Sequence, residues 1–215
     1  MSLLQNLRTQ WSAKYSAWLI RRSTMLGPER IQNLSRLAQR IEDEQIPGDV
    51  VECGVYRGGS AAILARRATH SRLGRTVWLF DTFQGMPPAT ASDGPEADSW
   101  VGNLRSSPRR VERLLRRTGA DVSRVRIVPG LFQDTFRATH IREIALLNID
   151  ADWYESVKLC LETFYDAVAR GGIVSIDDYG LWPGCRQAVD EFIQNRQLAI
   201  RMQRVDESAR WFQKS

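Results

Sequence analysis

Four acids close two apolar runs of this chain, in Asn148-Ile149-Asp150-Ala151-Asp152-Trp153 and in Ser175-Ile176-Asp177-Asp178-Tyr179-Gly180. If the two runs are neighbouring strands, their tips lie side by side, so that Asp150, Asp177 and Asp178 converge. Carboxylates gathered in one place repel one another, and a hard cation relieves that repulsion. An all-oxygen donor set suits Mg²⁺, Mn²⁺ or Ca²⁺. Such an ion holds a substrate hydroxyl and lowers its pKa, as it does for bound water. Asp152, two residues beyond Asp150, would miss the metal and face that hydroxyl as a general base. One Asp at a strand end is more often a cap or turn residue. Asp-x-Asp at one tip and Asp-Asp at the next together point to a site. The arrangement fails if the tips diverge, or if a salt bridge to arginine leaves no room for an ion.

A second constellation is Glu52-Cys53-Gly54-Val55-Tyr56-Arg57-Gly58-Gly59-Ser60. Gly54 lets the chain turn sharply where its backbone passes a ligand. Gly58 and Gly59 are expected to leave free amides at a helix start for a carboxylate, with Ser60 adding a hydroxyl. Asp81 ends the next apolar run, where an acid can accept hydrogen bonds from both hydroxyls of an adenosine ribose. The three-glycine dinucleotide fingerprint is broken, and no phosphate-binding lysine follows the glycines, which excludes a P-loop. His70 and His140 read as surface or capping residues, and no Gly-x-Ser-x-Gly elbow is present.

These residues need elements to hold them. Residues 2–20 and 28–45 read as N-terminal helices, the second from Ile31, Leu34, Leu37, Ala38 and Ile41 at helical spacing, with Pro28 at its start. Strands are expected over Asp49–Gly54, 76–81, 125–128, 144–149 and 173–176. Helices are expected from Gly58 to about residue 70, and over 107–118, 155–170 and 184–196. Two last strands near 198–204 and 209–214 fit a terminal hairpin. Alternating strands and helices imply a doubly wound α/β fold with a mostly parallel sheet. The long polar stretch 82–106 is a candidate lid.

Composition is that of an ordinary globular chain: 215 residues, 43% hydrophobic and 26% charged. No apolar run approaches the roughly 20 residues of a membrane span, and no signal peptide is evident, so a cytoplasmic location is expected. Cys53, Cys160 and Cys185 are too scattered for a disulfide framework or zinc site. The charge of +5 comes largely from arginines such as Arg109, Arg110, Arg113, Arg116 and Arg117. They read as a solvated helix face rather than a nucleic-acid surface. The apolar N-terminal residues Trp11, Tyr15, Trp18, Leu19 and Ile20 suggest a partner surface, hence a homo-oligomer.

The motifs DVVECGVYRGGS (49–60), LFDTFQGMPP (79–88), PGLFQDTF (129–136), NIDADWYES (148–156) and GGIVSIDDYG (171–180), with Thr24-Met25, run in order from about residue 20 to 195. In them the chain resembles the macrocin O-methyltransferase family, sugar O-methyltransferases of antibiotic assembly. The Glu52-x-Gly54-x-Tyr56 and Ser60 pattern is shared with metal-dependent catechol-type methyltransferases. The resemblance implies a Rossmann-like class I methyltransferase with a seven-stranded sheet. Residues 1–46 would pack on the core or a partner subunit, and 47–215 would form the methyltransferase domain. Glu52, Gly54, Tyr56, Gly58 and Ser60 would cradle the methionine part of S-adenosylmethionine, and Asp81 its ribose. Phe132 and Gln133 would lie near the adenine. Asp150, Asp177 and Asp178 would bind Mg²⁺ or Mn²⁺, with Asp150 counted toward the cofactor as well, and Asp152 would take the hydroxyl proton. The acceptor implied is a glycosylated small molecule; other readings are a catechol-like hydroxyl, a nucleotide-dependent oxidoreductase or a non-catalytic cofactor-binding protein. The chain is shorter at its N-terminus than those enzymes and differs over 82–106.

Overall fold

A computed structural model describes residues 14–215. Strands β1 (Asp49–Cys53), β2 (Val77–Asp81), β3 (Val125–Pro129), β4 (Ile144–Ile149) and β5 (Val168–Ile176) run parallel, and β6 (Gln203–Arg204) and β7 (Arg210–Gln213) form a hairpin. The sheet order is β3-β2-β1-β4-β5-β7-β6, with β7 antiparallel to β5. The order reverses between β1 and β4, and a crevice opens beyond the carboxyl ends there.

Successive residues of the central strands face opposite sides. Val50, Leu79, Leu146 and Ile173 pack in one core layer, and Val51, Phe80, Leu147 and Val174 in the other. Burial on both faces is why these runs are continuously apolar. The first layer is covered by α1 (Pro28–Asp43), α2 (Gly59–Thr69) and α3 (Pro108–Arg117). Leu34, Leu37, Ala38 and Ile41 form the buried stripe of α1, and each fully buried leucine contributes on the order of 2 kcal/mol. The second layer is covered by the short α4 (Phe132–Thr135), α5 (Tyr154–Phe164) and α6 (Pro183–Asn195). Arg109, Arg110, Arg113, Arg116 and Arg117 are all exposed on α3, as their spacing implied. All three cysteines are free and buried. Among the described residues no helix is long and apolar enough to cross a membrane.

Two expectations need correction, and the state of one segment is decided. The helix expected to run to residue 170 ends at Phe164, and β5 already begins at Val168. Val168 pairs with Ile144 and Ile173 with Leu146, so residues 169–172 bulge out of the ladder. Gly171, at φ +79°, makes that bulge possible. The candidate lid 82–106 is ordered and folded onto the core. It holds two short 3-10 helices, Ala91–Asp93 and Ala97–Trp100, and Gly102 N donates to Met86 O at 2.9 Å. At the N-terminus, residues 14–21 are helical. Leu19 and Ile20 are buried in the chain's own core, while Tyr15 and Trp18 are exposed. Trp11 and the start of the expected helix lie outside the described residues.

Candidate active site

The loops beyond the strand tips enclose a cavity of about 860 Å³. Gly54, Tyr56, Ser60 and Asp81 line it at the glycine turn, Phe132 and Gln133 after β3, and Asp150, Asp152, Asp177 and Asp178 at the acid tips. The candidate residues therefore converge, apart from Glu52 and Gly58, which lie outside its lining. Glu52 is fully buried beneath the turn, where its Oε1 accepts from Asn148 Nδ2 at 3.1 Å. Burial raises its carboxyl to about 8, against the hydrogen bonds from Ser60 and Asn148.

Local geometry explains the glycine turn. Gly54 sits at φ +90°, and a Cβ there would lie 1.7 Å from the carbonyl oxygen of Asp150. The first turn and the fourth strand tip are thus in backbone contact, with Asp150 N donating to Cys53 O at 2.8 Å. Asp81 organises the turn: its Oδ2 accepts from Val55 N (2.7 Å) and Tyr56 N (2.8 Å), its Oδ1 from Phe83 N (2.6 Å). A carboxylate offers about four acceptor positions, so room for a hydroxyl donor remains. The amides expected to be free at Gly58 and Gly59 are not. Gly58 N donates to Val55 O at 2.8 Å and Gly59 N to Ser23 O at 2.9 Å. The segment before α1 passes so close that a Cβ on Gly59 would meet Thr24 at 2.6 Å. These glycines serve backbone packing.

At the other end, Asp150, Asp177 and Asp178 each offer an oxygen within 4.8 Å of the others. Asp178 Oδ2 is buried with no hydrogen-bond partner. Burial, then the charges of Asp177 and Asp178, hold the Asp150 carboxyl well above its usual range. Burial, Asp152 and Asp177 do the same to Asp178. Burial lifts Asp177 to about 6 against the opposing pull of Arg30. The donor set is all oxygen, anionic and incompletely satisfied, which fits a hard divalent cation. Arg30 Nη1 donates to Asp177 Oδ2. This is the kind of arginine bridge that could have closed the site, but it engages one of six carboxylate oxygens and leaves Asp178 Oδ2 unpartnered.

Asp152 stands apart from the convergent trio, in a tight turn at φ +57°. Burial raises its carboxyl to about 7, opposed by a hydrogen bond from Trp182. Trp182 Nε1 donates to Asp152 Oδ1 at 3.0 Å. The Trp182 ring packs edge-on against Trp153 (4.9 Å) and Trp100 (6.4 Å). Trp100 belongs to the 82–106 segment, and Trp153 Nε1 donates to Pro87 O in the same segment at 2.9 Å. Asp93 clamps that segment down by accepting from Tyr154 N at 2.6 Å, at the start of α5. Arg30, Trp182 and Asp93 carried no sequence signal, because each acts on a residue 30 or more positions away. His70 and His140 are both exposed and do not line the cavity.

This strand order, with a cavity over the switch point, is that of Rossmann-like methyltransferases. The solved O-methyltransferase NovP superimposes with a TM-score of 0.78 at 32% identity, over 90% of this chain and 82% of that one. The macrocin-O-methyltransferase (TylF) family model matches residues 8–214, and the chain belongs to that family. It is 34% identical over 206 residues to demethyldecarbamoylnovobiocin O-methyltransferase of Streptomyces niveus, covering 92% of this chain and 78% of that protein. It is 35% identical over 176 residues to 8-demethyl-8-(2,3-dimethoxy-alpha-L-rhamnosyl)-tetracenomycin-C 4'-O-methyltransferase of Streptomyces olivaceus, covering 79% and 67%.

Proposed function

We propose that this protein methylates a sugar hydroxyl of a glycosylated small molecule, using S-adenosylmethionine and a divalent cation held by Asp150, Asp177 and Asp178. The observation that carries the reading is the convergence of those carboxylates on the cavity that also takes in Gly54, Ser60 and Asp81. Family membership supports the methyl transfer. The rhamnosyl group in the name of the Streptomyces olivaceus relative supports a sugar acceptor.

When bound, the cation would supply Lewis-acid stabilisation of negative charge on the acceptor oxygen, and the cofactor an electrophilic methyl group. The chain's own residues do the rest. Tyr56 and Ser60 wall the methionine end. Asp81 keeps acceptor capacity for the ribose, and Phe132 and Gln133 border the adenine. Phe132 is braced by stacking on Phe136 at 4.8 Å. Asp152, with a carboxyl near 7, is matched to accept a proton at neutral pH. It takes the hydroxyl proton as the new C–O bond forms and the methyl–sulfur bond breaks. Trp182 fixes the carboxylate for that transfer. Proximity and orientation supply much of the acceleration.

A screen of glycosylated acceptors with radiolabelled methyl donor, with and without chelator, tests this. Labelled product and S-adenosylhomocysteine should appear with added Mg²⁺ or Mn²⁺ and vanish with chelator. Transfer that is indifferent to chelator would remove the cation from the reading.

A further inference from the structure

Among the described residues the acid site holds one cationic side chain of its own. Arg30 stands in the first turn of α1, and its side chain reaches over to the tip of β5. Nη1 donates to Asp177 Oδ2, while Nε lies 3.2 Å from Asp206 Oδ2. That second contact is unfinished, because Nε is buried and has no hydrogen-bond partner. Asp206 is nevertheless held ready. Its Oδ1 accepts from Ser208 N at 2.9 Å and Ala209 N at 2.7 Å, which leaves Oδ2 to face the guanidinium. The turn carrying Asp206 is tied to the same strand tip, since Ser208 Oγ donates to Asp177 O at 2.6 Å. Two carboxylates on one rigid frame therefore flank a single arginine.

A divalent ion ligated by Asp177 would stand against a guanidinium bonded to the same carboxylate. Like charges at such a spacing, largely shielded from water, repel strongly. Carboxylate and guanidinium otherwise form a charge-assisted pair of good geometry, so the arginine needs another acceptor if it is to yield. Asp206 is that acceptor, within reach of a small rotation of the side chain.

We propose that Arg30 is an internal competitor for the cation: it neutralises Asp177 while the site is empty of metal and passes to Asp206 when a divalent ion enters. The inference rests on the metal reading given above and assigns Arg30 and Asp206 to the control of metal affinity. It runs against the simpler expectation that an arginine bonded to a ligand only orients it.

Titration of the full chain with Mn²⁺, followed by calorimetry and by the electron paramagnetic resonance signal of free Mn²⁺, separates these roles without any acceptor. Arg30→Gln should bind Mn²⁺ at least fivefold more tightly than the unmodified protein. Arg30→Lys, which keeps the charge, should stay within twofold. Asp206→Asn retains the acceptor for Ser208 and Ala209 but withdraws the alternative seat, and should weaken binding at least threefold. In the double variant Arg30→Gln/Asp206→Asn the penalty of Asp206→Asn should disappear. Equal or weaker binding by folded Arg30→Gln overturns the competitor role and leaves the metal reading intact, provided the unmodified protein binds. Binding by Arg30→Gln alone, with none by the unmodified protein, supports it. No binding by either overturns both. If Arg30→Gln does not fold, Asp206→Asn decides: weaker binding supports the proposal, unchanged or tighter binding overturns it.

Discussion

The two ends of the cavity are built on opposite electrostatic terms. Around the glycine turn most of the polar groups are matched within the chain, and the exceptions, Glu52 Oε2 and Arg57 Nε, are buried without a partner. Asp81 accepts three backbone amides, and the Gly58 and Gly59 amides find Val55 O and Ser23 O. At the tips of β4 and β5 the polar groups are left in conflict. Three buried or half-buried acids crowd together, one oxygen has no partner, and the carboxyls are pushed up by burial and by one another. The first end is a largely preorganised wall, whose one strained acid, Glu52, lies beneath it and is raised to about 8 by burial. The second carries a local cost that only a proton, Arg30 or a bound cation relieves. The difference shows where a fold spends stability on chemistry: in the groups left unmatched.

The strongest way to sharpen this contrast is at Asp152, which belongs to neither end's internal bonding. Asp152→Asn should keep Mn²⁺ and cofactor binding, measured by calorimetry, and lose about 10²–10⁴-fold in turnover. Near-normal turnover would remove the general base. Gly54 joins the two ends, because its missing Cβ makes room for the Asp150 carbonyl. Gly54→Ala should cost about 2–4 kcal/mol in denaturant unfolding and weaken Mn²⁺ binding together with it. A stable variant with normal Mn²⁺ affinity would show the ends to be independent.

Asp178→Asn breaks the comparison from the conflicted side. It should abolish measurable Mn²⁺ binding while the metal-free protein gains about 1 kcal/mol, because one of three repelling charges is gone. Loss of metal-free stability in urea unfolding would contradict the strain argument. The pH dependence follows from the same groups. Asp152 and Asp177 titrate at about 7 and about 6 in the folded chain, above the ordinary carboxylate value near 4. The folded state therefore binds more protons than the unfolded one between about pH 4 and 7, and the stability these acids contribute is lost as pH rises through that window. Melting temperatures with chelator should fall across it, and those with Mn²⁺ should fall less, so that the gap widens toward neutral pH. A constant gap would refute the coupling. The smallest effect is expected at Trp182→Phe, which keeps the aromatic contacts and deletes the N–H held by Asp152. A loss of about 3–10-fold in kcat with little change in KM would mark a positioning role. A change confined to KM would place Trp182 in the acceptor wall instead.

Much of this was legible in the chain itself. The runs around Val51, Leu79 and Leu147 are apolar on both faces, which only a covered parallel sheet explains. Asp-x-Asp and Asp-Asp at consecutive tips marked the acid site, and Gly54 marked a close backbone approach, though not to what. Two features were misread and a third was not legible, for physical reasons. The residues before Gly171-Gly172 suit a helix by local preference, yet pairing of Val168 with Ile144 drew them into the sheet. The amides of Gly58 and Gly59 looked available because nothing local shows that Ser23 crosses them. The 82–106 stretch has no periodic pattern, because its order comes from Asp93, Trp153 and Trp100 meeting partners on other elements.

By itself the sequence determined which residues could carry chemistry and the alternation of elements that holds them, since residue type and hydrophobic period are local properties. Tertiary structure alone decided that Arg30 faces Asp177 across 147 positions, that Trp182 grips Asp152, and that Asp206 waits beside the arginine. Each of those is a meeting of polar groups far apart in the chain. Its energy depends on distance, burial and the charge of its neighbours, none of which exists until the sheet has brought its tips together.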